Sequence, residues 1–164
     1  MLNNFRLFLL GALLALSSCG YQLIRSDIAN DVSFSVPTAS NNSEFFGLES
    51  QLTQSARQQL HNLIGAQLES GRCDYSLDLE ISNARRSARV WSRNGGVNMG
   101  MISLTISYQL FDSSKQKVLD NSIARNQEFL LSTGEDTSHA FNEAIADVVQ
   151  QIVLEIAEHL TNNN

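Results

Sequence analysis

The feature that most restricts the fold of this chain is a strict alternation of apolar and polar residues near its centre. The apolar positions are Ile102, Leu104, Ile106, Tyr108 and Leu110, and the polar positions between them are Ser103, Thr105, Ser107 and Gln109. Successive side chains of a strand point to opposite faces, so this pattern predicts a strand that is buried on one face only. A sheet built from such strands needs a second layer to cover its apolar face.

Shorter patterns of the same period predict three more strands. They run from Val32 to Val36, closed by Pro37, from Tyr75 to Ser82, and from about Lys117 to Leu131. Asn94-Gly95-Gly96 is typical of a hairpin turn, because asparagine and glycine tolerate positive φ angles. The polar residues 112–116 indicate a second turn, so the three later strands are joined by hairpins.

Apolar residues at helical spacing predict the covering layer. Between Leu48 and Leu68 they recur every three or four positions, and Gly71 is the expected C-cap. The same spacing runs from Phe141 to Leu160. The order β-α-β-β-β-α therefore predicts an α+β two-layer sandwich, with two helices packed on one face of a mainly antiparallel four-stranded sheet.

The N-terminus has the layout of a secretory signal. Arg6 precedes an uncharged apolar run from Leu7 to Leu16, which is too short for a bilayer span of about 20 residues. The run ends in Leu16-Ser17-Ser18-Cys19, which resembles a bacterial lipobox, although an ordinary signal that contains a cysteine is the alternative. The resemblance implies cleavage before Cys19, a diacylglycerol on its sulfur and a third acyl chain, such as palmitate, on its amine. These chains would anchor the protein to a membrane. The expected organisation is a signal peptide over residues 1–18, a lipid-anchored tether over 19–31 and a single α+β domain over 32–164.

The charge of the chain argues against nucleic-acid binding. Removal of residues 1–18 takes away Arg6, so the net charge falls from −6 to −7. An acidic chain lacks the basic surface that binds phosphate backbones without sequence preference. With Cys19 acylated, Cys73 has no partner for a disulfide, and we expect a small buried side chain there rather than a reactive thiol.

Basic residues are concentrated before the first hairpin turn. Arg85, Arg86, Arg89 and Arg93 place four of the ten basic residues of the mature chain within nine positions. Guanidinium groups match phosphates bidentately, and tryptophan is common in binding hot spots, so these arginines and Trp91 form a candidate docking site for anionic groups. The alternatives are a solvated strand whose arginines pair with acidic residues, and a tryptophan that caps the core.

Strict alternation past Asn83 would point Arg85 and Arg89 into the core, where unpaired charge is costly. Two arrangements avoid this cost. A bulge near Asn83 or Ala84 would turn the arginines outward and place Ala84, Ala88 and Val90 inside. Alternatively, the strand continues beyond the helix layer.

Catalytic and metal-binding motifs are not found in the sequence. His61, His139 and His159 form no metal-binding motif by spacing, and no serine lies in a nucleophile elbow. We therefore predict a non-enzymatic protein with no cofactor and no metal.

Several short motifs resemble the LptE family of lipopolysaccharide-assembly lipoproteins. They are Cys19-Gly20-Tyr21-Gln22-Leu23, Gly47-Leu48-Glu49 and Asp74-Tyr75-Ser76-Leu77, in a chain with the same order of elements. The resemblance implies a lipoprotein at the periplasmic face of the outer membrane that plugs a large β-barrel, LptD, and helps to pass lipopolysaccharide to the cell surface. Gly20 after the cysteine fits sorting to that membrane. Arg85, Arg86, Arg89, Trp91 and Arg93 become candidate contacts for lipopolysaccharide or the barrel.

Two other functions stay open on the sequence. One is an outer-membrane lipoprotein that acts as adaptor or activator of a cell-wall synthesis enzyme. The other is a periplasmic lipid carrier, whose helices and sheet would part around an apolar cavity.

Overall fold

The computed structural model describes residues 29, 31–91, 97–130 and 136–162, with the backbone alone at positions 91, 97 and 98. The elements follow the predicted order, with two short strands added. They are β1 (Ser33–Ser35), β2 (Ser40–Asn41), α1 (Leu48–Ile64), β3 (Gln67–Leu68), β4 (Tyr75–Trp91), β5 (Val97–Asp112), β6 (Lys117–Leu130) and α2 (Thr137–Asn162). The predicted tether and signal peptide lie almost entirely outside the described residues.

The sheet is mixed and has six strands, so the prediction of four was too low. The strand order is β3-β1-β4-β5-β6, and β2 also pairs with β4. The pairs β4–β5 and β5–β6 are antiparallel, whereas β1 and β2 run parallel to β4, and β3 runs parallel to β1. β2 and β3 have two residues each, which is too short to produce an alternating pattern in the sequence. The α+β sandwich class is confirmed.

The end of α1 differs from the prediction. Gly65, not Gly71, is the C-cap, with a φ of 75° that favours glycine, and its N–H donates to the carbonyl of His61 at 3.1 Å. Leu68 therefore leaves the helix and joins β3. The apolar spacing alone could not reveal this break, because Leu68 falls at a helical interval from Ile64.

Both helices cover the same face of the sheet, as predicted. The core contains Leu77 of β4, Ile106 of β5, Leu52 of α1 and Val153 of α2, each of which is fully buried. The alternating apolar residues of β5 all point into this layer. Buried side chains from the helices and the sheet form one continuous core between the two layers.

Both arrangements that the sequence left open for β4 contribute to its distal half. The register of β4 against β5 shifts between Ile81 and Asn83, and Ala84 is buried after this bulge. Ala88 and Val90 are exposed, so their predicted burial was wrong. The reason is that this end of the β4–β5 hairpin extends past the helix layer.

Within the described residues, neither α1 nor α2 combines the length and the hydropathy that crossing a bilayer requires.

Candidate functional site

The basic cluster predicted from the sequence lies at the distal end of the β4–β5 hairpin, and its arginines occupy both faces of the sheet. Arg85 pairs with Ser103 and therefore lies on the face that no helix covers, which we call the open face. Arg86 pairs with Ile102 and lies on the helix side. Both are exposed. We call the part of β4 with Arg85, Arg86 and Arg89 the arginine end.

Arg86 rests on an aromatic platform that the sequence analysis missed. Its guanidinium carbon lies 5.7 Å from the centre of the Phe129 ring, within the range of a cation–π contact. Phe129 is buried and lies directly over Gly100 of β5, where a β-carbon would overlap the ring. A glycine inside an otherwise strong strand is the signal that could have indicated this close approach.

Arg89 has an acidic partner. Its Nε lies 3.6 Å from Oε1 of Glu128 on β6, and both side chains are about half exposed. Exposed ion pairs contribute about 0–1 kcal/mol, so this contact adds little to the stability of the fold. Its main effect is that Glu128 reduces the positive charge around Arg89. The alternative of solvated arginines paired with acids therefore holds for Arg89.

The remaining predicted site residues lie outside what the structure describes. Trp91 is the last residue of β4 and pairs with Val97 through the backbone, but its side chain is not described. Arg93 and Cys19 are outside the described ranges altogether. Their roles stay predictions.

A cleft beside Arg86 adds apolar surface to the arginine end. Its volume is about 430 Å³, and its lining includes Phe45, Phe46 and Phe141. Phe46 is 94% exposed, although phenylalanine is usually buried. Phe45 packs on Phe141 with ring centres 4.8 Å apart. The cleft thus combines a guanidinium group with exposed aromatic surface.

The helix N-termini next to this cleft already hold carboxylates. The Glu49 carboxylate accepts hydrogen bonds from the Gly47 N–H and from Asn41 Nδ2, the latter at 2.8 Å. Hydrogen bonds from its own backbone and from Asn41, the largest causes, lower the pKa of Glu49. Asp136 Oδ1 accepts from the His139 N–H at 2.7 Å at the start of α2. An anion in the cleft therefore depends on Arg86 rather than on the helix ends.

The open face is polar along β5, as predicted. The hydroxyl oxygens of Ser82, Ser107 and Ser122 form a row across three strands, with neighbouring Oγ atoms 3.5 and 3.4 Å apart. Ser103, Thr105 and Gln109 are on the same face of β5. The neighbouring strands β4 and β6 add charge that the β5 pattern did not reveal. Asp78, Glu80 and Asp120 lie towards one end of the face, and Arg85 and Arg89 lie towards the other.

In the described part of the chain, no group of three or more histidine, cysteine, aspartate or glutamate side chains could hold a metal ion. His139 lies 3.3 Å from Glu143, one helical turn away on α2, as a surface pair.

The comparisons with known proteins agree with this architecture. Protein CT253 of Chlamydia trachomatis has a TM-score of 0.56 at 11% identity, over 79% of this chain and 97% of that chain. Lipoprotein B of Nitrosomonas europaea has a TM-score of 0.54 at 13% identity, over 84% and 90%. Protein XCC0632 of Xanthomonas campestris has a TM-score of 0.52 at 16% identity, over 80% and 87%. At these identities the similarity shows the fold alone.

The sequence itself identifies the family. No curated protein matches the chain. The model of the family described as LptE, lipopolysaccharide-assembly, matches residues 32–159, which is most of the chain and the whole α+β domain except its last turn. The chain is therefore a member of the LptE lipopolysaccharide-assembly family.

Proposed function

We propose that this chain is an outer-membrane lipoprotein, acylated at Cys19 and lying at the periplasmic face, that plugs a β-barrel of the LptD type. In this role it helps to assemble the barrel and contacts lipopolysaccharide through its arginine end. The chain has no catalytic activity of its own in this proposal, in keeping with a family of assembly lipoproteins.

The observation that carries the contact with lipopolysaccharide is the position of Arg86. Its guanidinium carbon lies 5.7 Å from the centre of the Phe129 ring, and the residue is exposed on the lining of the cleft, where a phosphate can reach it. The aromatic cleft beside it offers apolar surface for the adjoining acyl chains. Phosphates next to acyl chains are the chemistry of lipid A, so one site can meet both parts of the molecule.

The open face supports the proposed contact with a barrel. Small hydroxyl side chains such as Ser107 and Ser122 leave it flat, so another strand can approach closely. Its central part carries no charge that would need a partner when it is covered. The interior of a barrel is polar, which suits this surface.

Charge reversal at the arginine end tests the lipid contact. We expect the triple variant Arg85→Glu, Arg86→Glu, Arg89→Glu, in the tagged full-length protein, to bind lipopolysaccharide at least about tenfold more weakly in detergent. Each cation near an anionic surface contributes ~1 kcal/mol, and ~1.4 kcal/mol corresponds to a tenfold change. Co-precipitated lipopolysaccharide is the readout.

The matched control is Lys117→Glu, at an exposed lysine that is paired with Asp120 at the opposite end of β6. It changes the net charge in the same direction and should reduce binding by much less. Equal losses in both proteins would show a general charge effect and would contradict a site at Arg86.

A further inference from the structure

A second groove lies at the opposite end of the open face from the arginines. Its volume is about 760 Å³. We call it the basal groove and define it by the lining residues Arg72, Cys73, Asp74, Asp78, Phe111 and Lys115. It is bordered by the start of β1, the start of β4 and the turn between β5 and β6. The proposed contact with lipopolysaccharide does not involve it.

Two carboxylates of the groove are already engaged in fixing the backbone. Asp74 Oδ2 accepts from the N–H and the hydroxyl of Ser33, both at 2.8 Å. Asp112 Oδ1, in the turn, accepts from the N–H groups of Ser114 and Gln116 at 2.8 and 2.9 Å. These acids hold the walls of the groove in place.

The other charged side chains of the groove are available to a ligand. Among the residues that the structure describes, neither the Arg72 guanidinium group nor the Lys115 ammonium group forms an ion pair or a hydrogen bond. Asp78 is exposed and accepts only a long contact of 3.4 Å from the Ser76 hydroxyl. The groove therefore offers two cations and one carboxylate.

Phe111 gives the groove an apolar surface between these charges. It is half-buried and lies on the open face of β5, next to the polar positions from Ser103 to Gln109. An ammonium group is attracted both to the face of an aromatic ring and to a carboxylate. A ligand that carries a phosphate for Arg72 and Lys115 and an ammonium for Asp78 and Phe111 would use every free group.

The groove also lies at the end of the domain where the chain enters. The Ala29 N–H donates to the Ile64 carbonyl at 2.8 Å, and Ser33, on the groove wall, follows four residues later. Cys19 and Ala29 are ten residues apart, which limits their separation to about 35 Å. The arginine end lies farther along β4, about 30–50 Å from the start of this strand at ~3.3 Å per residue.

We infer that the basal groove binds the zwitterionic headgroup of a phospholipid such as phosphatidylethanolamine, in the leaflet that holds the lipid anchor. The inference rests on the proposed acylation of Cys19 for its location, but not on the barrel or on lipopolysaccharide. Arg72 and Lys115 hold the phosphate, and Asp78 and Phe111 hold the ammonium. An anionic headgroup would place no cation on Asp78, and free phosphate would leave Asp78 and Phe111 unused.

Cys73 provides a native reporter, because acylation of Cys19 leaves it as the free thiol. It lines the groove and is only partly buried, whereas the sequence predicted a buried side chain. The mature lipidated protein is reconstituted into two kinds of vesicle, phosphatidylethanolamine mixed with phosphatidylglycerol, or phosphatidylglycerol alone. The rate of Cys73 alkylation by an uncharged poly(ethylene glycol) maleimide is measured in each. For the parent protein, we expect several-fold slower alkylation in the vesicles that contain phosphatidylethanolamine. This difference should be lost in the single variant Asp78→Asn and in the double variant Arg72→Ala, Lys115→Ala.

Arg85→Ala with Arg89→Ala is the matched control and should keep the difference, since both residues lie at the other end of the sheet. A second arm adds glycerophosphoethanolamine, inorganic phosphate or ethanolamine to the protein in neutral detergent. Only glycerophosphoethanolamine should slow alkylation. With Cys19→Ser, this arm needs no lipid anchor and keeps Cys73 as the free thiol, so it separates a failure of the groove from a failure of the proposed acylation.

Three results would overturn the inference. Equal rates in both vesicles together with no effect of glycerophosphoethanolamine would show that no headgroup binds. Equal slowing by inorganic phosphate would show a simple anion site. Slow alkylation in detergent without any ligand would show that another part of the chain, such as residues 20–28, covers the groove.

Discussion

Tyr108 shows how a single polar group joins the two layers. It is 1% exposed, and its hydroxyl donates to the Glu155 carboxylate of α2. Asn121 and Gln151 donate to the same carboxylate at 3.1 and 3.2 Å. The sequence predicted that Tyr108 faces the core, but it could not supply the partner, because Glu155 lies 47 positions away on the closing helix.

Tyr108→Phe keeps the ring and removes only this hydrogen bond. Hydrogen bonds to charged groups contribute about 1.5–3 kcal/mol, so we expect the free energy of unfolding to fall by about 1–2 kcal/mol in urea denaturation. Tyr75→Phe, which preserves the stack of this ring on Phe34, should change stability far less. If both substitutions lowered the free energy of unfolding equally, the hydrogen bond to Glu155 would not be the cause of the loss.

The same group makes stability depend on pH. Burial raises the pKa of Glu155, but hydrogen bonds from Tyr108, Asn121 and Gln151 outweigh it and leave the pKa below its ordinary value of 4.5. A carboxyl with a lowered folded pKa contributes stability above its unfolded pKa, and the contribution is lost as the pH falls through the folded value. The free energy of unfolding, measured from pH 6 down to pH 3, should decrease below about pH 4.5. Glu155→Gln should reduce the slope of this free energy against pH. An unchanged slope in that variant would assign the loss to other carboxyls, such as Asp74, whose pKa is lowered chiefly by the Ser33 N–H.

Gly100 is the residue that fixes the platform under Arg86. Gly100→Ala forces the Phe129 ring to move, and overpacking of this kind costs about 1–3 kcal/mol. We expect a lower melting temperature, with part of the loss recovered when Phe129→Leu removes the overlapping ring. Ser103→Ala, on the same strand but on the open face, is the control and should melt close to the parent protein. No recovery in the double variant would show that the cost does not arise from the ring.

At the scale of elements, alternation and helical spacing predicted α2 and the three long strands well. These patterns are strong because each element buries one face along its whole length. The short strands β2 and β3 owe their place to tertiary pairing with longer strands, which no local pattern encodes. The stack of Arg86 on Phe129 was missed for the same reason, since it joins β4 to β6 across the sheet.

The end of α1 depends on the conformation of Gly65, which can be tested by substitution. Gly65 has a φ of 75°, so Gly65→Ala should destabilise the domain by about 1 kcal/mol. Gly65→Asn should cost less, because asparagine tolerates this region better than alanine. Urea denaturation of both variants gives the comparison. If alanine were tolerated as well as asparagine, the helix would not depend on this glycine to end before β3.

At the scale of the whole molecule, the fold separates two kinds of surface. Helices cover one face of the sheet, and the open face carries acidic residues near the start of β4 and arginines near its end. Composition predicted an acidic protein but not this distribution, which follows from the register of three strands. The class of protein could be predicted from the order of elements and a few motifs, whereas the sites needed the pairing of distant residues.

We propose that this chain acts as the plug of a large outer-membrane β-barrel. The most direct test is a tagged pull-down of the full-length protein from detergent-solubilised outer membranes, with Cys19→Ser as the unanchored control. We expect a stable complex with one large β-barrel protein for the parent chain. Recovery of periplasmic or cell-wall synthesis proteins alone would contradict it and would favour the adaptor function instead.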